Sequence, residues 1–179
     1  MNRMVSTATT SNPQVLNTVA APARTLSAIV LRALTVSLKL TSIGIYSVAV
    51  ATIELLWNAS VGAAPASLID GFSLPLMVFG AIAGLFFVGT TPKAQKLYVN
   101  VPQYVLAQAG AGVVWTSIGY LFYYLFVALL NVSSLPSSLG TLYGVLATPV
   151  IIVVNALPFT LIVGSITGTL TGLMLMKLK

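Results

Sequence analysis

Residues 41–60 read TSIGIYSVAVATIELLWNAS, and a similar stretch, TSIGYLFYYLFVALLNVS, occupies residues 116–133. Both stretches open with TSIG, continue with apolar residues and reach a leucine-rich end that is followed by an Asn-x-Ser triplet. A helix needs about 20 apolar residues to cross a bilayer, so each stretch supplies most of one crossing. The recurrence indicates that a membrane-spanning unit is written twice in the chain. Chance is the alternative, because the same residue types are abundant throughout the sequence.

The composition indicates that the chain is surrounded mainly by lipid. Of its 179 residues, 58% are hydrophobic and 6% are charged, whereas a soluble domain carries about 25% charged residues. The mean hydropathy is +1.02, and the acidic residues are limited to Glu54 and Asp70. Residues 1–25 are rich in Ser, Thr, Asn and Pro and lack the apolar core of a signal peptide, so no cleaved leader is expected.

Missing residue types exclude several kinds of chemistry. The chain has no cysteine and no histidine, which removes disulfides, thiolate chemistry and the usual zinc, copper and haem sites. A Ser-His-Asp triad cannot form, and no glycine-rich phosphate-binding fingerprint occurs. We therefore predict that the protein is not an enzyme and has no catalytic, cofactor-binding or metal-binding residues.

Four apolar segments are long enough to cross a bilayer as helices. They run over residues 25–57, 68–89, 103–130 and 141–176, and the joins between them contain the breakers AAPAS, TTPK, NVP and SSLPSSLG. The sequence therefore predicts an all-α multipass membrane protein with about four hydrophobic helices. Because the TSIG stretches lie at the ends of the first and third segments, the helices are expected to form two tandem helical hairpins.

This pattern predicts the division of the chain into successive regions. They are a polar N-terminal arm (1–23), a first helical hairpin (24–96), a linker (97–102) and a second helical hairpin (103–179). Pro158 lies inside the last apolar segment and lacks an N–H group. It is therefore expected either to kink that helix or to divide it into two shorter helices.

The basic residues predict the orientation of the helices. If four helices cross, the N-terminal arm, the 90–102 loop and the C-terminus share one side, and every Lys and Arg falls there. The positive-inside rule makes this the interior side, with both termini inside. Asn58 and Asn131 fall on the opposite side, and each begins a triplet that matches the N-glycosylation acceptor pattern.

A basic stripe precedes the first crossing. Arg24, Arg32 and Lys39 recur at helical spacing in a stretch that is expected to project from the bilayer or to lie in its inner interface. With the basic residues of the other interior segments, the stripe forms a predicted basic inner face, which comprises Arg24, Arg32, Lys39, Lys93, Lys96, Lys177 and Lys179. This face is expected to contact either lipid headgroups or DNA.

Small residues at steps of four predict close contacts between helices. One ridge consists of Gly164, Gly168 and Gly172, and another consists of Gly80 and Gly84. Such ridges allow helix backbones to approach each other in lipid, either within one chain or between copies.

Glu54 is an acidic residue inside a predicted crossing, and such residues are functional candidates. Its position within one turn of Trp57 and Asn58 favours the outer membrane interface, with a proton or ion site as the alternative. The tyrosines at 120, 123 and 124 are interpreted as packing or interface residues.

The hairpin architecture resembles the coat proteins of spindle-shaped archaeal viruses. The resemblance rests on paired hydrophobic helices joined by a short polar turn, with basic ends on one side, over residues 24–96 and 103–179. It implies a structural protein that self-assembles with lipid into a virion shell around DNA, with the basic face inward. The alternatives are a non-catalytic accessory subunit of a cellular membrane complex, or a small transporter or channel built from two repeats.

Overall fold

Nearly all of the described residues are helical. The computed structural model describes residues 13–62, 74–97, 100–131 and 139–176, with side chains described over 27–62, 74–91, 100–130 and 143–176. Within these residues there are five α-helices: α1 (Pro13–Ser60), α2 (Leu74–Leu97), α3 (Val101–Asn131), α4 (Leu139–Asn155) and α5 (Leu157–Met176). The predicted all-α fold class is therefore confirmed.

Four of the described helices are long and apolar enough to cross a membrane, as the sequence predicted. The candidate spans are Ser27–Ser60, Leu74–Thr91, Val101–Leu130 and Leu157–Met176. Their lengths follow from the rise of about 1.5 Å per residue, because about 20 residues match a hydrocarbon layer of roughly 30 Å. The fold is that of a multipass α-helical membrane protein.

The last apolar segment is divided into two helices at Ala156. The N–H groups of Phe159 and Thr160 both donate to the carbonyl oxygen of Ala156, at 3.0 Å. Pro158 therefore lies in the first turn of α5, where a missing N–H group leaves no helical hydrogen bond unmade. Of the two predicted effects of this proline, division of the segment is the one observed. The candidate span is Leu157–Met176, and α4 is a shorter apolar helix before it.

Local signals explain where α3 begins and where α1 ends. The N–H group of Tyr104 donates to the carbonyl oxygen of Asn100 at 3.1 Å, which makes Asn100 the residue that precedes α3. After α1 the chain turns at Gly62, whose φ of 72° lies in the left-handed region that glycine adopts without steric cost.

The chain divides into two compact units, residues 1–37 and 38–179. In the first unit, the described side chains from Ser27 to Ser37 are exposed, apart from the half-buried Thr35. In the second unit, burial along α1 begins at Ser42, which is fully buried. Of the predicted N-terminal arm (1–23), residues 1–12 lie outside the described residues and residues 13–23 belong to α1; of the linker (97–102), residues 98–99 lie outside them.

Within the second unit, α1 and α2 form an antiparallel hairpin. A Cβ atom added to Gly80 would lie 2.8 Å from the Cα of Ser47, and one added to Gly84 would lie 2.9 Å from the Cα of Ile43. The hydroxyl of Ser47 also donates to the carbonyl oxygen of Met77 at 2.7 Å. The first predicted hairpin is therefore formed through the glycines of α2.

The second hairpin is formed by α3 and α5, which pack together extensively. Gly112 of α3 faces Gly164 and Gly168 of α5, while Gln108 faces Gly172, so the two helices run antiparallel. Helix α3 also packs against α2 and α4. The two hairpins thus share one core, in which Val50, Ile53, Leu76, Tyr120 and Ala156 are fully buried.

Candidate functional site

A buried carboxylate lies where α1 meets α3. The side chain of Glu54 is only 8% exposed. Its neighbours along α1, Val50 and Ile53, are fully buried in the apolar core. Removing a carboxylate from water into such surroundings is costly unless hydrogen bonds replace those of the solvent. The partners of Glu54 therefore decide what this site can do.

Three neutral side chains donate hydrogen bonds to the carboxylate. The hydroxyl of Tyr120 donates to Oε2 at 2.5 Å. The hydroxyl of Tyr124 lies 2.8 Å from Oε1 and 2.7 Å from Oε2, so it is within hydrogen-bond distance of both oxygens. The amide Nδ2 of Asn58 donates to Oε1 at 3.2 Å. A carboxylate accepts hydrogen bonds at both oxygens, so these donors match it.

Helix periodicity brings the donors to the acid. Tyr120 and Tyr124 are one turn apart on α3, and their rings meet edge to face with centroids 5.0 Å apart. Asn58 follows Glu54 by one turn on α1, where residues four apart are neighbours. The two tyrosines therefore present their hydroxyls to a single carboxylate across the interface between the helices.

The arrangement ties α1 to α3 through the hydrogen bonds that Tyr120 and Tyr124 donate to Glu54 across the interface between the helices. In the described part of the chain, no group of three or more acidic, histidine or cysteine side chains is placed to bind a metal ion.

The structure changes the interpretation of Glu54 and of the tyrosines. Glu54 does lie near the end of its candidate span, one turn from Asn58, but its side chain is buried in the bundle. Tyr120 and Tyr124 donate hydrogen bonds to Glu54, a role that the sequence did not predict. Their spacing of four residues places both hydroxyls on one helix face and was the available signal.

The predicted glycine ridges are contacts within the chain. Gly164 and Gly168 meet α3 at Gly112 and Val113, and Gly172 meets the side chain of Gln108. Gly80 and Gly84 meet α1, as described for the first hairpin. The sequence left open whether the ridges pack within one chain or between copies. All five glycines pack against helices of the same chain.

The described members of the basic inner face are Arg32, in the first unit, and Lys39, in the second. Both side chains are exposed. The side chains of the other members lie outside the described residues, namely Arg24, Lys93, Lys96, Lys177 and Lys179. The basic inner face therefore remains a prediction from the sequence.

One of the two predicted glycosylation sites has an engaged side chain. Asn58 is half-buried, and its amide nitrogen, the atom that would carry a glycan, donates to Glu54. A glycan would replace one of the two amide hydrogens, so the hydrogen bond to Glu54 would have to use the other. The side chain of Asn131 lies outside the described residues.

The fold defines a class, a polytopic α-helical membrane protein. In this chain a polar clamp, the hydrogen bonds from Tyr120 and Tyr124 to Glu54, connects two of the helices. Comparisons with protein-family models, with curated proteins and with solved structures found no match. The functional proposal therefore rests on the physical features of this chain.

Proposed function

We propose that the protein is a non-catalytic structural protein of a lipid membrane, and that it assembles with copies of itself. In this proposal it is the coat protein of a lipid-containing archaeal virus, and its basic inner face lies against DNA. The orientation in this proposal has both termini on the interior side, in agreement with the positions of Lys and Arg.

The observation that carries the proposal is an uncovered groove between α1 and α5. It has a volume of 580 Å³ and is lined by Thr41, Gly44, Ile45, Val48, Ala49, Thr52, Val163 and Thr167. A Cβ atom added to Gly44 would meet no atom within 4 Å. The small face of α1 is therefore left open by the described part of the chain.

Such a face favours helix association in lipid. Lipid chains are as apolar as the side chains of a helix, so the hydrophobic effect does not drive helices together in a bilayer. They associate instead through close packing and hydrogen bonds. Glycine and threonine allow that close approach, and Gly44, Val48 and Thr52 recur at steps of four along α1. The five predicted ridge glycines serve the fold of one chain, whereas Gly44 remains available to a second copy.

Replacing Gly44 by leucine is expected to weaken self-association by about tenfold or more, which corresponds to roughly 1.4 kcal/mol. The leucine side chain would hold a second helix away without disturbing the fold, because the site is open. Native mass spectrometry in mild detergent, over a range of protein concentrations, measures the shift from oligomer to monomer.

The matched control is Gly110→Leu, because Gly110 also has open surroundings but lies on α3, away from the groove. Its oligomer distribution should equal that of the wild type. Cysteines placed at Gly44 in the naturally cysteine-free chain should also form a crosslinked dimer in membranes. A monomeric wild type, or equal oligomers in both leucine variants, would refute assembly through this face.

The DNA-coating part of the proposal has a separate test at Lys39. Binding through phosphate contacts should weaken steeply between about 50 and 200 mM salt, with a log–log slope near −0.9 per neutralised phosphate. Lys39→Gln should reduce that slope by about one unit, and Lys39→Arg should leave it unchanged. Duplex DNA is titrated against protein in neutral-lipid discs, and absence of binding at the lowest salt concentration would exclude the coat role.

One observation favours a transporter as the second candidate, namely the carboxylate of Glu54 buried within a candidate span. Intramembrane acids often mark proton or ion paths. An accessory subunit of a larger complex is the other alternative. Stoichiometry separates the shell from the accessory subunit, because a shell contains many identical copies and an accessory subunit one or two. A transporter should move protons or ions across vesicles, and Glu54→Gln should abolish that movement.

A further inference from the structure

A second groove opens between α2 and α3, away from the face that contains Gly44. It has a volume of 460 Å³ and is lined by Phe79, Ile82, Ala83, Phe86, Trp115, Ile118, Gly119 and Phe122. All eight residues are apolar, and the volume is within the range of about 300–1,000 Å³ that is typical of small-molecule sites. The groove can therefore take an apolar ligand of moderate size.

The floor and the walls of this groove differ in character. At the floor the helices touch, because a Cβ atom on Gly119 would lie 3.0 Å from the Cβ of Ala83. At one end Phe86 stacks on Trp115, with ring centroids 5.3 Å apart and an angle of 8° between the planes. At the other end Phe79 packs against Phe126 at 5.5 Å. Paired rings of this kind keep the walls in place without a ligand.

The groove lies halfway along the candidate spans. Ile82 is at the middle of Leu74–Thr91, and Ile118 is near the middle of Val101–Leu130. At that depth a bilayer contains hydrocarbon, with headgroups and water about 15 Å away on either side. The medium that reaches this groove consists of lipid chains.

The shape of the groove favours a flexible chain over a second helix. Phe86 and Phe122 project from the surface, at 55% and 54% exposure. Two helices in lipid need small residues where their backbones approach, and these rings prevent such an approach. The groove beside Gly44 has the opposite character, with glycine and threonine on its surface. The two grooves are therefore suited to different occupants.

We propose that the groove between α2 and α3 is a binding site for one hydrocarbon chain of a membrane lipid, held between the Phe86–Trp115 pair and Phe79. The driving force is dispersion contact with the preformed aromatic walls, because transfer from surrounding lipid brings no hydrophobic gain. The site does not depend on self-assembly, so it holds for a monomer and for a shell alike.

Trp115 reports directly on the occupant. In a Trp57→Phe background it is the only tryptophan of the chain. A phospholipid brominated at mid-chain is titrated into the purified full-length protein in mild detergent, and Trp115 fluorescence is followed. We expect quenching that saturates at about one lipid per chain, as a discrete site requires. Native mass spectrometry of the same sample should show one retained lipid.

Two variants alter the groove, and each has a matched control on α2. Ile82→Phe fills the groove, and Phe86→Ala removes one wall, so both should weaken lipid binding by roughly two- to tenfold, the scale of one aromatic contact. Leu85→Phe and Leu85→Ala make the same kinds of change at an exposed residue outside the groove, and should bind lipid like the wild type.

The possible outcomes are distinct. Quenching that rises without saturation, and equally in Ile82→Phe and Leu85→Phe, would mean ordinary boundary lipid and would overturn the proposal. Trp115 fluorescence that responds to protein concentration but not to the brominated lipid would mean that a second copy covers the groove, which also overturns it. If Ile82→Phe lowers the melting temperature, Phe86→Ala is compared with its control Leu85→Ala instead. Native mass spectrometry then measures how much lipid each variant retains, and equal retention would overturn the proposal.

Discussion

Replacing Gly168 by leucine is expected to disrupt the pairing of α3 with α5 and to cost about 3 kcal/mol or more of unfolding free energy. A Cβ atom at this position would collide with the carbonyl oxygen of Gln108 and lie 2.7 Å from the Cα of Gly112. Both are backbone atoms of the facing helix, so no side-chain rotation can relieve the overlap. Circular dichroism during heating in mild detergent should show a large drop in melting temperature.

The control for this prediction is Gly110→Leu on the facing helix, where an added Cβ atom meets nothing within 4 Å. It introduces the same side chain and should leave the melting temperature within a degree or two of the wild type. Equal melting temperatures for Gly168→Leu and Gly110→Leu would show that α3 and α5 do not pack as described. Together with Gly44→Leu, this pair separates residues needed for the fold from those needed for assembly.

Removal of the carboxylate is expected to have the second large effect. Glu54→Ala leaves the hydroxyls of Tyr120 and Tyr124 without their acceptor inside the bundle. A buried polar group without a partner costs about 1–3 kcal/mol, so the buried hydroxyl of Tyr120 alone predicts a loss of roughly that size. Thermal unfolding of the purified variant in mild detergent measures this loss.

Glu54→Gln is the matched variant, because its amide retains a carbonyl oxygen that can accept from one tyrosine. Its loss should be smaller than that of Glu54→Ala. A double-mutant cycle with Tyr124→Phe then isolates the contact, with a coupling of about 0.5–3 kcal/mol expected for bonded neighbours. Zero coupling and an unchanged melting temperature in Glu54→Ala would contradict the polar clamp.

Much of the fold was predictable because membrane helices follow simple rules. Apolar length alone predicted the crossings, since each must span the hydrocarbon layer and satisfy its own backbone hydrogen bonds. The missing N–H group of Pro158 predicted an interruption, and the structure divides the segment at Ala156. Steps of four predicted that Gly164, Gly168 and Gly172 form a helix contact, which they do.

The candidate site was only half predictable. The sequence marked Glu54 as an unusual residue within a crossing, but its partners Tyr120 and Tyr124 are separated from it by 66 and 70 positions. Which face of α3 meets α1 depends on how all the helices pack, and periodicity within one helix carries no information about that rotation. The tyrosines were therefore interpreted as packing residues.

The repeated TSIG motif separates what the sequence determined by itself from what the tertiary structure decided. In both copies the residues specify an apolar helix, because helix formation in lipid depends on local composition. Their environments then differ. Thr41 is exposed and Thr116 is fully buried, while Gly44 is open and Gly119 lies against Ala83 and Phe79. Identical residues acquire these different roles because α3 is enclosed by α2, α4 and α5, whereas this face of α1 borders an open groove in the described part of the chain.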